Sequence, residues 1–512
     1  MPPITQRPRN VLLFLTDQQR KDSIGAYGNP VVRTPHLDRL AHEGVRFERA
    51  YPTNPFCCPS RASILTGLYP RTHGVWDNGV QFDAVGAPTL GERLQGHGYR
   101  TGCVGKLHLN SWFGPHPPSG YQESQDYWAR HPEMAAWHGP YGGFQEVDLT
   151  IGHVHYATRG GHYAAYLQGA FPQGIELLKR ECALVDHGYF ETWHNAIPEA
   201  HHYNTWIADR TIAMIDRFTG AGDGAGESVA PPFFIQCSFP DPHHPFSACE
   251  PYASMYDPAE VPPPIPASLD ELAAMPPHYL AIHLGQENDY ARARPFAREI
   301  AGAPLREMAA QMYGMVTHVD RCIGRVIEHL VARGLLDQTL IIFTTDHGEL
   351  LGDHGFLLKG PYFYQALLNV PLIIRCPGIT AAAPLVRHEL VSHVDLVPTI
   401  LDCLGLDVPA YLPGHSLRGY LAGEPSLVRD AVLTEYRPRG RNMKVLHMQD
   451  WKYVYYHRAP YGELFDLAND PQERRNLFAD PACAGRRRAL HERLLEELVD
   501  TESTWPAKGW WA

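Results

Sequence analysis

The residues with most chemical potential lie in the run Asn54-Pro55-Phe56-Cys57-Cys58-Pro59-Ser60-Arg61-Ala62-Ser63-Ile64-Leu65-Thr66-Gly67. Two prolines loosen the approach, Pro59 suits a first helical turn, Ile64 and Leu65 give a buried side, and Gly67 can close the helix. The spacing therefore predicts a helix with Cys57 at its N-terminus. Free backbone N–H groups there, a partial positive charge and the cation of Arg61 about one turn on favour an anion or a side chain that gathers negative charge. Taken alone, Cys57 and Cys58 also fit a pair of buried structural thiols, the commoner fate of cysteine. Two further strings, Asp17-Gln18 and Asp346-His347, each follow an apolar run that ends in threonine. If those runs are parallel neighbours, all four groups meet and offer oxygen and imidazole ligands to one divalent ion. Oxygen suits Ca²⁺, while the His347 imidazole makes Mn²⁺ a competitor.

The elements that must position these groups can be read from the apolar pattern. Val11 to Leu15, Phe233 to Phe239 and Leu340 to Thr345 are continuous apolar runs of the kind expected for strands buried on both faces of a parallel sheet. Arg100 to Val104 reads as another strand, delivering Gly105-Lys106-Leu107-His108, and a further one lies around Pro371 to Arg375. Ligands gather beyond the carboxyl ends of such strands, so polar residues there are site candidates, although Lys106 or His108 alone would read as a solvated loop residue. Helices are predicted from Thr34-Pro35 to near Gly44, over Thr89 to Leu94, His202 to Phe218 and Arg306 to Arg333, and from the cap Ser392 onward.

Residues 110–200 are irregular and rich in Trp, Tyr, His, Gly and Pro, as expected of a lid or binding wall. Their histidines lack ligand-like spacing. Asp257 to Pro304 is proline-rich and is expected to wrap the surface. After about Arg429 the texture changes to short alternating strands, Lys444 to Met448 and Trp451 to Tyr456, and a charged helix from about Pro481 to Val499. The pattern implies an α/β catalytic domain over 1–428, with 110–200 as its substrate-site insert, and a small α+β domain and tail over 429–512. The tail from Trp505 to Ala512 carries three tryptophans, which suggests docking against a second subunit in a dimer or tetramer.

At 512 residues the chain can bury a large core and is of ordinary globular composition; a net charge of -12 does not suggest a nucleic-acid surface. No apolar stretch is long enough to cross a bilayer, and Val11 to Leu15 is too short for a secretory leader, so a cytoplasmic protein is expected. The ten cysteines show no Cys-x-x-Cys spacing and read as mostly free core thiols.

The ordered string Cys57, Pro59, Ser60, Arg61, Gly67 resembles the signature of the sulfatase family within the alkaline-phosphatase-like superfamily. So do Ser238-Phe239-x-x-Pro242-His243-x-Pro245, Ser392-His393-Val394-Asp395 and Leu412-Pro413-Gly414-His415. The resemblance implies a large, mostly parallel mixed sheet sandwiched by helices, with a smaller C-terminal domain of antiparallel sheet plus helix. It also implies that a formylglycine-generating enzyme oxidises Cys57, and that the hydrated aldehyde attacks sulfur while held by the metal and Arg61. By the same resemblance Lys106 and Lys359 bind sulfate oxygens, His243 lies near the leaving oxygen as its acid, alone or with Lys359, and His108 takes the proton that lets sulfate depart. Asn78 is a further candidate for sulfate contact. Many sulfatases begin with paired aspartates, whereas the Asp17-Gln18 and Asp346-His347 forms are similar to phosphonate monoester hydrolases of the superfamily. Those usually lack the Lys-x-His pair present here as Lys106 and His108, which favours sulfate.

Overall fold

The computed structural model describes residues 7–82, 86–113, 121–220, 230–287, 302–381, 384–424, 429–438 and 440–505. Its strands are β1 (Asn10–Thr16), β2 (Val45–Tyr51), β3 (Arg100–Gly105), β4 (Glu146–Leu149), the hairpin pair β5 (Val185–Asp186) and β6 (Trp193–His194), then β7 (Phe233–Ser238), β8 (Thr339–Thr345), β9 (Val370–Arg375), β10 (Leu385–Ser392), β11 (Ala431–Tyr436), β12 (Met443–Met448), β13 (Trp451–Tyr456) and β14 (Gly462–Asp466). Eight form one sheet in the order β10-β2-β9-β8-β1-β7-β3-β4. Only β9 runs against its neighbours; every other pairing in the sheet is parallel.

Alternation along β1 divides the core in two. Val11, Leu13 and Leu15 join the cluster on one face, with Ile64 and Leu65 of the cysteine helix and Val397, Ile400 and Leu401 of the helix Leu396–Leu404. Leu12 and Phe14 point the other way, against Ile207 and Ile215 of the helix Tyr203–Thr219 and Met315, Val319 and Ile323 of the helix Ala303–Ala332. The sheet is thus covered on both faces, which is why its strands read as unbroken apolar runs. Strands β11 to β14 form a separate antiparallel sheet against which the helix Ala484–Asp500 packs through Leu490 and Leu494.

Three expectations are modified. The irregular stretch 110–200 is not all lid or binding wall, because its residues Glu146–Leu149 are the edge strand β4, paired to β3. The proline-rich stretch also carries two short helices, Leu269–Ala273 and Pro277–His283, and buries Tyr279 completely. Thr34 does not cap its helix through its side chain; its hydroxyl instead donates to Asp38 Oδ1 at 3.1 Å. In the tail, Trp505 packs on Tyr411 with ring centroids 5.2 Å apart, while Trp510 and Trp511 lie outside the described residues. Among the described residues no helix is long and apolar enough to cross a membrane.

Candidate active site

Four adjacent parallel strands, β8, β1, β7 and β3, end on the same side of the sheet. Leu15 and Thr16 pair with Thr344 and Thr345, so Asp17-Gln18 and Asp346-His347 emerge side by side. The cysteine helix Cys57–Thr66 enters this corner with Cys57 at its first position, and Gly67 closes it in the left-handed region at φ 73. One ligand atom from each of Asp17, Cys57, Asp346 and His347 lies within 4.8 Å of all the others. Cys57 Sγ is 3.2 Å from His347 Nε2, 3.3 Å from Lys359 Nζ and 3.8 Å from Asp17 Oδ1.

Backbone geometry supports this convergence. Gly348 follows His347 where the chain meets the carbonyl of Ala366; a Cβ there would lie 2.0 Å from that oxygen, so only glycine fits. Gln18 (φ 60), His108 (φ 53) and Leu358 (φ 64), the last just before Lys359, all hold left-handed backbone without being glycine. Such residues cost roughly 1–2 kcal/mol each and cluster where side chains must be aimed. The loop carrying His108 is pinned by Glu123, whose carboxylate accepts backbone N–H groups from His108, Leu109 and Asn110.

Arg61 lies beneath the acidic pair rather than in front of Cys57. Its Nε donates to Asp346 Oδ2 at 2.7 Å, its terminal nitrogens reach Asp17 Oδ2, the Lys106 and Thr16 carbonyls and Ser238 Oγ, and all five N–H groups are thereby used within the protein. The expected anion-facing cation is therefore a buried brace, because two carboxyl groups side by side in a dry site demand a fixed cationic partner that reaches both.

The charge states follow from the contacts. Burial opposes ionisation of Asp17, but Lys106, Arg61 and Lys359 outweigh it and hold the carboxyl well below its usual range. Burial lowers His347 to about 4, so its ring is neutral; Nδ1 donates to the Gly348 carbonyl at 2.9 Å, leaving the Nε2 lone pair aimed at the cluster. Gln18 is held the same way, its amide nitrogen donating to Glu349 Oε2 and His244 Nδ1, which turns Oε1 toward Lys359 at 2.5 Å. This donor set, two oxygens from carboxylates, one amide oxygen and one imidazole, fits a hard or borderline divalent cation. Burial, reinforced by Asp17, pushes the Cys57 thiol up despite Lys106 and Lys359, so the unmodified thiol is not the anion that a helix N-terminus alone would favour.

Above the cluster opens a cavity of about 370 Å³. Cys57, Asn78, His108, His243 and Lys359 all line it, with Trp112, Phe113, His153 and Tyr156 as an aromatic wall. His243 Nδ1 donates to the His244 carbonyl at 2.5 Å, so Nε2 accepts from Lys359 Nζ at 2.9 Å. Burial, with His153, His244 and Lys359 adding to it, keeps His243 well below its usual value, and the proton of this pair sits on the lysine. Asn78 Oδ1 accepts from the Cys58 backbone at 2.9 Å, tying the helix N-terminus to the cavity wall. His108 stacks on Trp112 at 4.0 Å, and its Nδ1 is buried with no hydrogen-bond partner among the described residues. Lys106 is fully buried, paired with Asp17 and 2.7 Å from His153 Nε2. His153, Glu123 and Glu349 were not marked by the sequence as site residues; only Glu349, two after His347, carried a positional signal.

The small sheet reaches this site too. Glu435 of β11 donates its backbone N–H to the Thr53 carbonyl and accepts from Asn54 Nδ2, both at 2.7 Å, and Tyr436 stacks on Phe56 at 4.8 Å.

The sulfatase family model matches residues 9–406, and the model for the C-terminal region of N-sulphoglucosamine sulphohydrolase matches residues 352–500. The chain is 31% identical over 512 aligned residues to PehA, a multifunctional alkaline phosphatase superfamily protein of Trinickia caryophylli, covering 93% of this chain and 92% of that one. It is 28% identical to an arylsulfatase of Clostridium perfringens, covering 96% and 95%. Among solved structures, a phosphonate monoester hydrolase of Agrobacterium radiobacter superimposes with a TM-score of 0.78 at 30% identity, covering 97% and 96%.

Proposed function

The chain belongs to the sulfatase family of the alkaline-phosphatase-like superfamily and is a hydrolase of sulfate esters, and from that premise we propose that it cleaves aryl-type sulfate monoesters through a formylglycine made from Cys57 and one divalent cation. The observation that carries this is the meeting of the Cys57 side chain with His347 Nε2, Asp17 and Lys359 Nζ at the floor of one cavity.

Asp17, Gln18, Asp346 and His347, with the side chain at position 57, would hold the ion, Ca²⁺ by the oxygen count or Mn²⁺ by the imidazole. When bound it supplies a Lewis acid that favours a deprotonated hydroxyl at position 57. A hydrated aldehyde at that position offers two hydroxyls on one carbon, one to attack sulfur and one to release sulfate by C–O cleavage, which neither a thiol nor a serine can do.

The remaining steps belong to the chain's own side chains. Lys359 carries the proton beside residue 57 and is the acid for the leaving oxygen, while His243 accepts from it and keeps its ammonium directed. Lys106 supplies positive charge toward the non-bridging oxygens and Asn78 an amide at the cavity wall. His108, neutral because burial and Lys106 hold it well below its usual value, is the base for the second hydroxyl. Arg61 acts through Asp17 and Asp346, fixing their oxygens. The same proposal takes residues 1–428 as the catalytic unit with 110–200 walling the substrate, 429–512 as the smaller unit, and a cytoplasmic homo-oligomer matured by a formylglycine-generating enzyme.

Peptide mass analysis of active protein tests the nucleophile: an aldehyde or its hydrate at position 57 is expected, and unmodified thiol alone would defeat the proposal. The second reading is a phosphonate monoester or phosphodiester hydrolase using the same site, favoured by the Agrobacterium structure and by Gln18 in place of a second aspartate. Kinetics on 4-nitrophenyl sulfate beside a phosphonate monoester decide between them: a kcat/KM larger by several orders of magnitude on the phosphonate would replace the sulfate reading.

A further inference from the structure

His153 comes from the aromatic stretch after β4, just beyond its last residue, Leu149, and it is buried in two different contacts, one to Lys106 and one to His243. Its Nε2 lies 2.7 Å from Lys106 Nζ, and since an ammonium can only donate, Nε2 is the acceptor. Its ring lies face to face on His243, with centroids 3.6 Å apart and planes within 7°. His243 in turn accepts from Lys359. Two lysine–imidazole pairs, Lys106–His153 and Lys359–His243, are therefore joined through one stack.

We infer that His153 is a positioning residue for the sulfate-ester reaction, aiming the Lys106 ammonium through Nε2 and bracing His243 through its ring face. The inference rests on the sulfatase reading above. One acceptor fixes the rotation of an ammonium about its last C–N bond, and a second fixes where the nitrogen itself sits. Asp17 supplies one and His153 the other, with the Trp112 ring 4.9 Å from Nζ, so the direction of the third N–H of Lys106 is set. With Asp17 alone the flexible stem could carry the nitrogen about that one contact, and its third proton would lose its aim. Removing the ring, by contrast, leaves one face of His243 unsupported, and with it the acceptor that directs Lys359. The Trp112 ring packs against the same imidazole at a steep angle, with centroids 4.9 Å apart and planes at 64°, and helps to hold it in place.

Two substitutions separate the contacts. His153→Phe keeps a ring for His243 and removes the acceptor; His153→Gln keeps an acceptor and removes the stack. Both are made in metal-loaded enzyme with residue 57 converted, and folding is checked by near-UV circular dichroism. With 4-nitrophenyl sulfate, His153→Phe should raise KM about tenfold and weaken inorganic sulfate binding in calorimetry to match, because a misdirected charge contact costs on the order of one hydrogen bond to a charged group. His153→Gln should hold KM within about threefold and lose about tenfold in kcat, with a changed pH–rate profile, because the Lys359–His243 pair is loosened. Folded variants that both stay within threefold of the parent would overturn the inference. So would equal losses in both, which would mark His153 as a filler. A parent that turns over no sulfate ester and binds no sulfate overturns the sulfatase reading and the inference with it; an active parent with indifferent variants overturns the inference alone.

Discussion

Replacing Arg61 by leucine is the most informative perturbation of this site. The side chain is 1% exposed and spends five N–H groups on protein acceptors, two of them the carboxylates Asp17 and Asp346. Asp17 keeps Lys106 as a partner after the change. Asp346 does not: its Oδ2 loses the guanidinium, and Oδ1 is left with the backbone N–H groups of Gln18 and His347. Breaking one partner of such a buried pair costs about 3–5 kcal/mol, and the loss should appear in guanidinium unfolding of chelated protein. A divalent ion should then recover more stability in the variant than in the parent, because it meets the same carboxylates with one positive charge fewer nearby. For scale, an ion at a hundred times its Kd adds about 2.7 kcal/mol. The measurement is the pair of unfolding curves, with chelator and with saturating Ca²⁺ or Mn²⁺. A loss below about 1 kcal/mol in chelator, or an equal gain from metal in both proteins, would refute the account of Arg61 as the brace of a cation site.

Lys359→Ala should lower kcat by about 10²–10⁴ on phenyl sulfate and by much less on 4-nitrophenyl sulfate, whose leaving group needs little protonation; equal losses on both would remove Lys359 as the acid. Gly348→Ala drives a Cβ toward the Ala366 carbonyl, so an overpacking cost of about 1–3 kcal/mol and weaker metal binding in calorimetry are expected, and an unchanged affinity would show that this turn does not aim His347. In the small sheet, burial pushes Glu463 up to about 7 from its ordinary 4.5 against the pull of Lys452, while Tyr456 and Tyr279 donate to Oε1 at 2.6 and 2.8 Å. A raised carboxyl stabilises the fold fully below about 4.5 and loses that contribution as pH rises through about 7, on the order of 3 kcal/mol. Glu463→Gln should flatten this part of the stability profile between about pH 5 and pH 8; a slope unchanged from the parent would contradict it.

Much of the site was legible because its parts sit where regular elements end. Val11 to Leu15 and Leu340 to Thr345 announce buried strands by composition, and register then places Asp17 beside Asp346 without further information. Gly67 marks the end of the cysteine helix for the same local reason, its left-handed backbone. What the sequence does not reveal depends on contacts between loops. Nothing periodic distinguishes His153 from the other histidines of residues 110–200, and its contacts arise only once β4 joins the sheet edge. Arg61 was read as facing an anion because a helix N-terminus is a local feature, whereas its engagement with two carboxylates on separate strands is not. The reversal of β9 likewise leaves no trace in its own apolar run.

The clamp of β11 on the cysteine loop also sets a schedule. Asn54 and its partner Glu435 are 381 residues apart in the chain, and synthesis proceeds at about 5–20 residues per second. The last support of the loop is therefore made roughly 20 to 75 seconds after Cys57 itself. In the finished fold that sulfur belongs to a residue only 1% exposed, lining the cavity. If Cys57 is converted as proposed, a modifying enzyme that grips the chain around position 57 would work against a clock that stops when the C-terminal sheet docks, and slower translation beyond residue 57 would lengthen its opportunity.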